Sequence, residues 1–143
     1  MIVTPFANQY EKAIVNLAYT YGVFLDRMLS ILKDYDLNDQ HYNILKTLNE
    51  HDPRPISVGE IKQLLINKRG DLTRLLDKLS ALGLVNRELD PENRRVVLVS
   101  LTPTGKQQLH TIDTILNEQR RQQRSLTDAE AAQLNDLLDR LRG

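Results

Sequence analysis

Lys68, Arg69, Thr73 and Arg74 fall within two turns of one helical stretch, and Arg94 and Arg95 stand side by side further along the chain. Their chemistry is recognition. A guanidinium can hold O6 and N7 of guanine with two hydrogen bonds, and threonine offers a hydroxyl together with a methyl suited to thymine. A helix fits the major groove of B-DNA and reads base edges from its exposed N-terminal residues, while its start presents free N–H groups to phosphate. Arg94 and Arg95 sit where a strand leaves the turn Asp90-Pro91-Glu92-Asn93, and arginines on such a projection can enter a narrow minor groove. The plain alternative is a solvated surface, with both arginines paired to Asp90 or Glu92 at little gain in stability.

Residues capable of other chemistry are sparse. His41, His51 and His110 stand alone, with no HExxH spacing, no nucleophile elbow and no glycine-rich phosphate loop. His110 lacks a second histidine one turn away, so a zinc site is not expected. No catalytic residue, metal or cofactor is expected, and the chain is read as a non-enzyme. Tyr21, His41 and Tyr42 are candidates for lining a small-molecule pocket, because such pockets are apolar with a few polar groups. The same tyrosines also suit core positions with their hydroxyls at the edge, and His41 suits a half-buried helical position.

The elements that must position these groups follow from periodicity. Apolar residues from Val3 through Tyr10, Ile14, Leu17, Tyr21, Phe24 and Met28 to Ile31 repeat every 3.5 residues, which predicts a first helix over Pro5 to Lys33 packed along another helix. A second helix should begin at the N-cap Asn38 and bury His41, Ile44, Leu45 and Leu48. After the breaker Pro53-Arg54-Pro55, Ser57 and Glu60 form a capping box that opens a short helix to Ile66, with Ile61, Leu64 and Leu65 inward. The reader helix is expected over Lys68 to Leu82, burying Leu72, Leu75, Leu76, Leu79 and Leu82, with Gly83 as its left-handed stop. Strands Leu84 to Leu89 and Arg94 to Leu101 form a hairpin. Thr102 caps a fifth helix with Pro103 in its first position, and Thr127 with Glu130 opens a sixth. The fold class is mainly α with an α+β wing.

Length and composition agree with one such unit. The 143 residues carry equal numbers of basic and acidic side chains, 19 of each, so a generic polyanion binder is disfavoured. The charge is unevenly spread: residues 1–52 hold four Lys/Arg against seven Asp/Glu, residues 53–101 nine against six, and residues 102–143 six against six. The positive excess lies on the proposed reader, as an electrostatic footprint should. Cysteine is absent, which removes disulfides and thiol-based redox switching. No apolar run is long enough for a membrane span, and the start lacks a signal-peptide pattern, so a cytoplasmic, non-membrane protein is expected.

Taken in order, these segments resemble the MarR-type winged helix-turn-helix regulators over nearly the whole chain. Leu37-Asn38-Asp39-Gln40-His41-Tyr42-Asn43-Ile44-Leu45 resembles the opening of the family's second helix, with His41 where glutamine is usual. Leu72-Thr73-Arg74-Leu75-Leu76-Asp77-Lys78-Leu79 resembles the recognition helix. Gly83-Leu84-Val85, Asp90-Pro91-Glu92-Asn93-Arg94-Arg95 and Leu101-Thr102-Pro103-Thr104-Gly105 resemble the strand, wing and post-wing signatures. The resemblance implies a transcriptional regulator, a repressor in the first instance, that binds a pseudo-palindromic operator on double-stranded DNA as a homodimer and answers to a small-molecule effector. It divides the chain into a dimerisation helix over residues 1–35, a winged helix-turn-helix over 36–101, and C-terminal dimerisation helices over 102–143. Two departures stand out: Asn93 replaces the usual wing aspartate, and Asp71 and Asp77 put negative charge on the reader helix. Those carboxylates keep open a second reading, a winged helix that binds protein and not DNA.

Overall fold

In the computed structural model, which describes residues 5–65 and 70–143, the first helix α1 spans Gln9–Leu32. It begins later than periodicity predicts because Asn8, in extended backbone, caps it by accepting from the Glu11 N–H at 2.8 Å. A 3₁₀ turn over Lys33–Tyr35 ends in left-handed Asp36 (φ 58°), which turns the chain into helix α2, Asp39–His51. The four positions expected to bury on α2 all do.

Strand β1 is only Ile56–Ser57 and runs straight into helix α3, Val58–Leu64; helix α4, the reader, spans Leu72–Ala81. Both helices are shorter than their apolar patterns. Leu65 swings to extended backbone (ψ 130°) and closes α3, and Asp71 caps α4 from outside. Two leucines expected inward are exposed, Leu64 at 48 % and Leu82 at 39 %. The Leu82 result has a local cause. Gly83 takes φ +74°, its N–H donates to the Ser80 carbonyl, and the Leu84 N–H donates to the Leu79 carbonyl. In that Schellman arrangement the residue after the glycine packs back on the helix, so Leu84 is buried instead.

Strands β2, Val85–Leu89, and β3, Val97–Leu101, form the wing hairpin, and β1 joins β3 on its other side, giving an antiparallel sheet of order β1-β3-β2. The expected hairpin is present and the sheet gains a third strand, which two residues such as Ile56 and Ser57 are too few to reveal by alternation. Strand β3 also starts later than expected. Arg94 and Arg95 lie in the wing turn, which is closed by the Asp90 N–H donating to the Val96 carbonyl and the Val96 N–H donating to the Asn93 carbonyl.

Helix α5, Pro103–Gln122, is capped by Thr102, and helix α6, Asp128–Arg142, by the reciprocal Thr127–Glu130 box. The Thr102 hydroxyl donates to the Gly83 carbonyl at 2.7 Å and accepts from the Gly105 N–H at 2.9 Å. The segments after α4 and before α5 are therefore sewn together. A single core joins Leu32 of α1, Ile44 and Leu45 of α2, Ile61 of α3, Leu76 and Leu79 of α4, Val99 of β3, and Ile112 of α5. Helix α6 adds no buried residue, and Ile14, Leu17, Tyr21 and Phe24 on α1 stay exposed alongside Leu134 and Leu137 on α6.

Candidate nucleic-acid interface

Helix α4 starts where a carboxylate can hold it. Asp71 Oδ1 accepts from the Thr73 N–H at 3.0 Å and the Arg74 N–H at 3.4 Å, and its negative charge suits the positive end of the helix dipole. Two amides expected to be free for phosphate are therefore engaged within the chain. Asp71 is a cap, not a member of the reading face. Thr73 and Arg74 follow it as exposed residues on the outer side of α4. Lys68 and Arg69 lie outside the described residues.

A groove runs between the start of α3, the reader and the wing, lined by Ser57, Gly59, Thr73, Arg87, Arg95 and Val97 among others. Reader and wing residues predicted from separate motifs thus meet across one hollow. Arg74 lies instead beside a second hollow that it shares with Asn38, His41, Asp71 and Lys78. Arg94 and Arg95 are exposed, and among the described residues neither enters an ion pair with Asp90 or Glu92. Asn93 shapes the turn: its Oδ1 accepts from the Arg95 N–H at 3.2 Å, while Asp90 Oδ1 accepts from the Glu92 N–H at 2.9 Å. The departure from aspartate keeps the backbone acceptor and gives up only the charge.

Asp77 is also accounted for within the fold. Its Oδ1 accepts from Arg87 Nη1 at 2.6 Å, an ion pair between α4 and β2. The sheet register explains the reach. Arg87 stands opposite Val99, which is fully buried, so its side chain leaves the sheet on the helix side. Towards the wing tip that side runs out of core, and the guanidinium extends to the edge of α4, as long cationic side chains do. Arg87 was overlooked in the sequence, although a charged residue in the inward register of Val85-Asn86-Arg87-Glu88-Leu89 is a readable signal. With Asp71 and Asp77 both occupied, the feature that favoured a protein partner loses its force.

The three pocket candidates separate. His41 is 5 % exposed, and its Nδ1 accepts from the Asn38 N–H at 3.0 Å while Asn38 Oδ1 accepts from the His41 N–H at 3.0 Å. Histidine thus fills the capping-box position that glutamine or glutamate usually takes. Burial pulls its imidazole below the ordinary value and the Lys78 ammonium adds to that, with Asp36 and Asp39 opposing. Tyr42 is equally buried, and its hydroxyl donates to Asp113 Oδ1 on α5 at 2.5 Å. Lys46 Nζ meets Asp113 Oδ2 at 3.0 Å. Burial and then the Asp113 carboxylate push the Tyr42 phenol upward, so it stays un-ionised. Tyr21, in contrast, is an exposed ring on α1. Among the described residues no cluster of three or more His, Asp or Glu could hold a metal ion, and no helix is long and apolar enough to cross a membrane.

A family model described as MarR family matches residues 35–96, from the end of the 3₁₀ turn to the end of the wing turn. The HTH-type transcriptional repressor IacR of Pseudomonas putida is 31 % identical over 124 residues, 86 % of this chain and 73 % of that protein. The chain belongs to the MarR family. The fold agrees. A MarR transcription factor from Planctomyces limnophilus superposes with a TM-score of 0.72 at 32 % identity, covering 94 % of this chain and 98 % of the other. A mutant MarR from E. coli, solved in complex with operator DNA, gives 0.77 at 27 % identity over 96 % and 99 %. Other curated relatives are spanned over only 43–61 % of their own length. Within that fold Thr73 and Arg74 lie on α4, and Arg94 and Arg95 lie in the wing turn.

Proposed function

We propose that this chain is a transcriptional regulator, and specifically a repressor, that grips a pseudo-palindromic operator as a homodimer and releases it when a small effector binds. The observation that carries the reading is the groove in which Thr73 of the reader helix faces Arg95 of the wing. A helix for the major groove and an arginine turn for the adjacent minor groove then contact one stretch of duplex. Thr73 and Arg74 read bases, Arg94 and Arg95 enter the minor groove, and Lys68 and Arg69 approach phosphate. The operator-bound E. coli relative and the repressor IacR support the same assignment.

Residues 36–101 form the reading unit, and residues 1–35 with 102–143 join the two copies. The exposed row Ile14, Leu17, Tyr21 and Phe24 on one face of α1, with Leu134 and Leu137 exposed on α6, supports this, since an apolar row left uncovered along a helix marks an interface. Two-fold pairing sets the reader helices about one DNA turn apart. For the effector, Tyr21 belongs to that same row, so a molecule reaching it binds at the seam between the copies, while one reaching His41 or Tyr42 must displace the bonds to Asn38 or Asp113.

The test is a fluorescence-anisotropy titration with DNA from upstream of the protein's own gene, at two salt concentrations and with random competitor. Tight binding that weakens steeply with salt and survives competitor is the expected result. Binding no tighter than to random DNA would refute operator reading.

A further inference from the structure

The pair Asp77–Arg87 joins the two DNA-reading elements and belongs to neither the core nor the cap of α4. Asp77 lies one turn beyond Thr73 and Arg74, on their exposed side of the helix, where a bare carboxylate would oppose phosphate. Arg87 lines the same groove as Thr73 and Arg95. If Arg87 were free it would crowd Arg95 with like charge across that groove. Bound to Asp77 Oδ1 at 2.6 Å, its guanidinium is drawn against the helix and leaves the opening to Arg95. The side chains are 58 % and 33 % exposed, so the pair contributes little to stability. Its geometry is therefore better matched to orientation than to folding.

We infer that Asp77 and Arg87 are positioning residues that lock the angle between the reader helix and the wing, so that Thr73 and Arg95 engage the duplex together. This rests on the DNA-binding reading above and deepens it. The consequence runs against simple electrostatics. Deleting the Asp77 charge should weaken DNA binding, although it removes a negative group from a surface that faces polyanion.

The experiment is a double-mutant cycle on the full chain, read as anisotropy with the operator fragment. Asp77→Asn should weaken binding about fivefold, and Arg94→Ala with Arg95→Ala should weaken it further, but adding Asp77→Asn to the wing variant should change nothing, because coupled residues are non-additive. The exchange of Asp77→Arg with Arg87→Asp should recover affinity to within about twofold of the starting protein, whereas Arg87→Asp alone should not. Thermal midpoints within a few degrees of the parent establish that Asp77→Asn is folded, as an exposed isosteric change should be. Tighter binding by Asp77→Asn, or equal losses in the presence and absence of the wing arginines, overturns the inference. If the unsubstituted protein fails to prefer its operator over random DNA, the DNA-reading assignment itself fails, and that outcome is visible before any variant is compared.

Discussion

The Tyr42 hydroxyl donates to Asp113 Oδ1 at 2.5 Å, which ties α2 to α5 across 71 residues of chain. Lys46 holds the other carboxylate oxygen from the surface side. The contact is a buried donor on a partly buried acceptor, so losing one partner costs more than losing both. Asp113→Ala should destabilise by about 1–3 kcal/mol because it strands the phenol, and Tyr42→Phe by about 1 kcal/mol. The double variant should lie well short of the sum. Urea unfolding of the three variants checks this, and simple additivity would show that the phenol finds another partner.

His41 makes stability depend on pH in one direction. Its folded-state value lies below the ordinary 6.5, because burial and Lys78 disfavour the imidazolium, and the protonated ring could not accept from the Asn38 N–H. The unfolded chain then binds the proton first as acid is added. Its contribution is fully present above pH 6.5 and is lost as the pH falls from there towards the lowered folded value, with a slope of at most about 1.4 kcal/mol per pH unit for one proton. His41→Gln keeps an N-cap acceptor and has no proton to bind. Denaturant midpoints measured between about pH 7.5 and 5 should fall more steeply for the parent than for His41→Gln. Parallel curves would remove His41 from the account.

Gly105 is fixed by a close approach. A Cβ built there would lie 2.0 Å from the Leu84 carbonyl oxygen, and that carbonyl also accepts from the Thr102 N–H. Neither backbone can yield without opening the stitch between the reader helix and α5. Gly105→Ala should cost more than about 3 kcal/mol. Gly59 meets only Ser57 Oγ at 3.8 Å, an ordinary contact, so Gly59→Ala should leave the midpoint nearly unchanged. Equal tolerance at both sites, seen as equal thermal midpoints, would refute the clash.

These cases show which parts of the molecule a sequence displays. Periodicity and caps displayed the helices because each signal is local: Asn38, Ser57, Thr102 and Thr127 all accept from the amide three residues on. The wing turn was legible for the same reason, through Asp90, Pro91 and Asn93. What escaped depends on partners distant in sequence. Strand β1 exists because Ile56 and Ser57 pair with Val99 and Leu98, and in the sequence Asp77 is a bare negative charge on the reader helix because its partner Arg87 is set by sheet register. The cap role of Asp71 was legible in principle, but the apolar row of the helix hid the point at which α4 starts. His41 shows the reverse case: a residue read as a pocket candidate is held by a bond three residues away.

The arms offer the last test. On α1, Ile14 and Leu17 lie on the 3.5-residue row that the isolated chain leaves uncovered, and in the proposed homodimer one turn of DNA would separate the half-sites under the two reader helices. Replacing both with glutamate places two charges in the proposed seam, where desolvation without partners is costly, yet leaves the hydrophobic core untouched because neither residue contributes to it. Light scattering should then report a monomer with an unchanged helical circular-dichroism signal. Losing the second half-site removes the effective-concentration gain of a tethered pair, so operator affinity should fall by about 10²-fold or more. Residual binding should retain its preference for a half-site, since Thr73, Arg74 and Arg95 remain in place. A monomer that held the full operator as tightly as the parent would separate DNA reading from dimer formation, and the apolar row would need a different occupant.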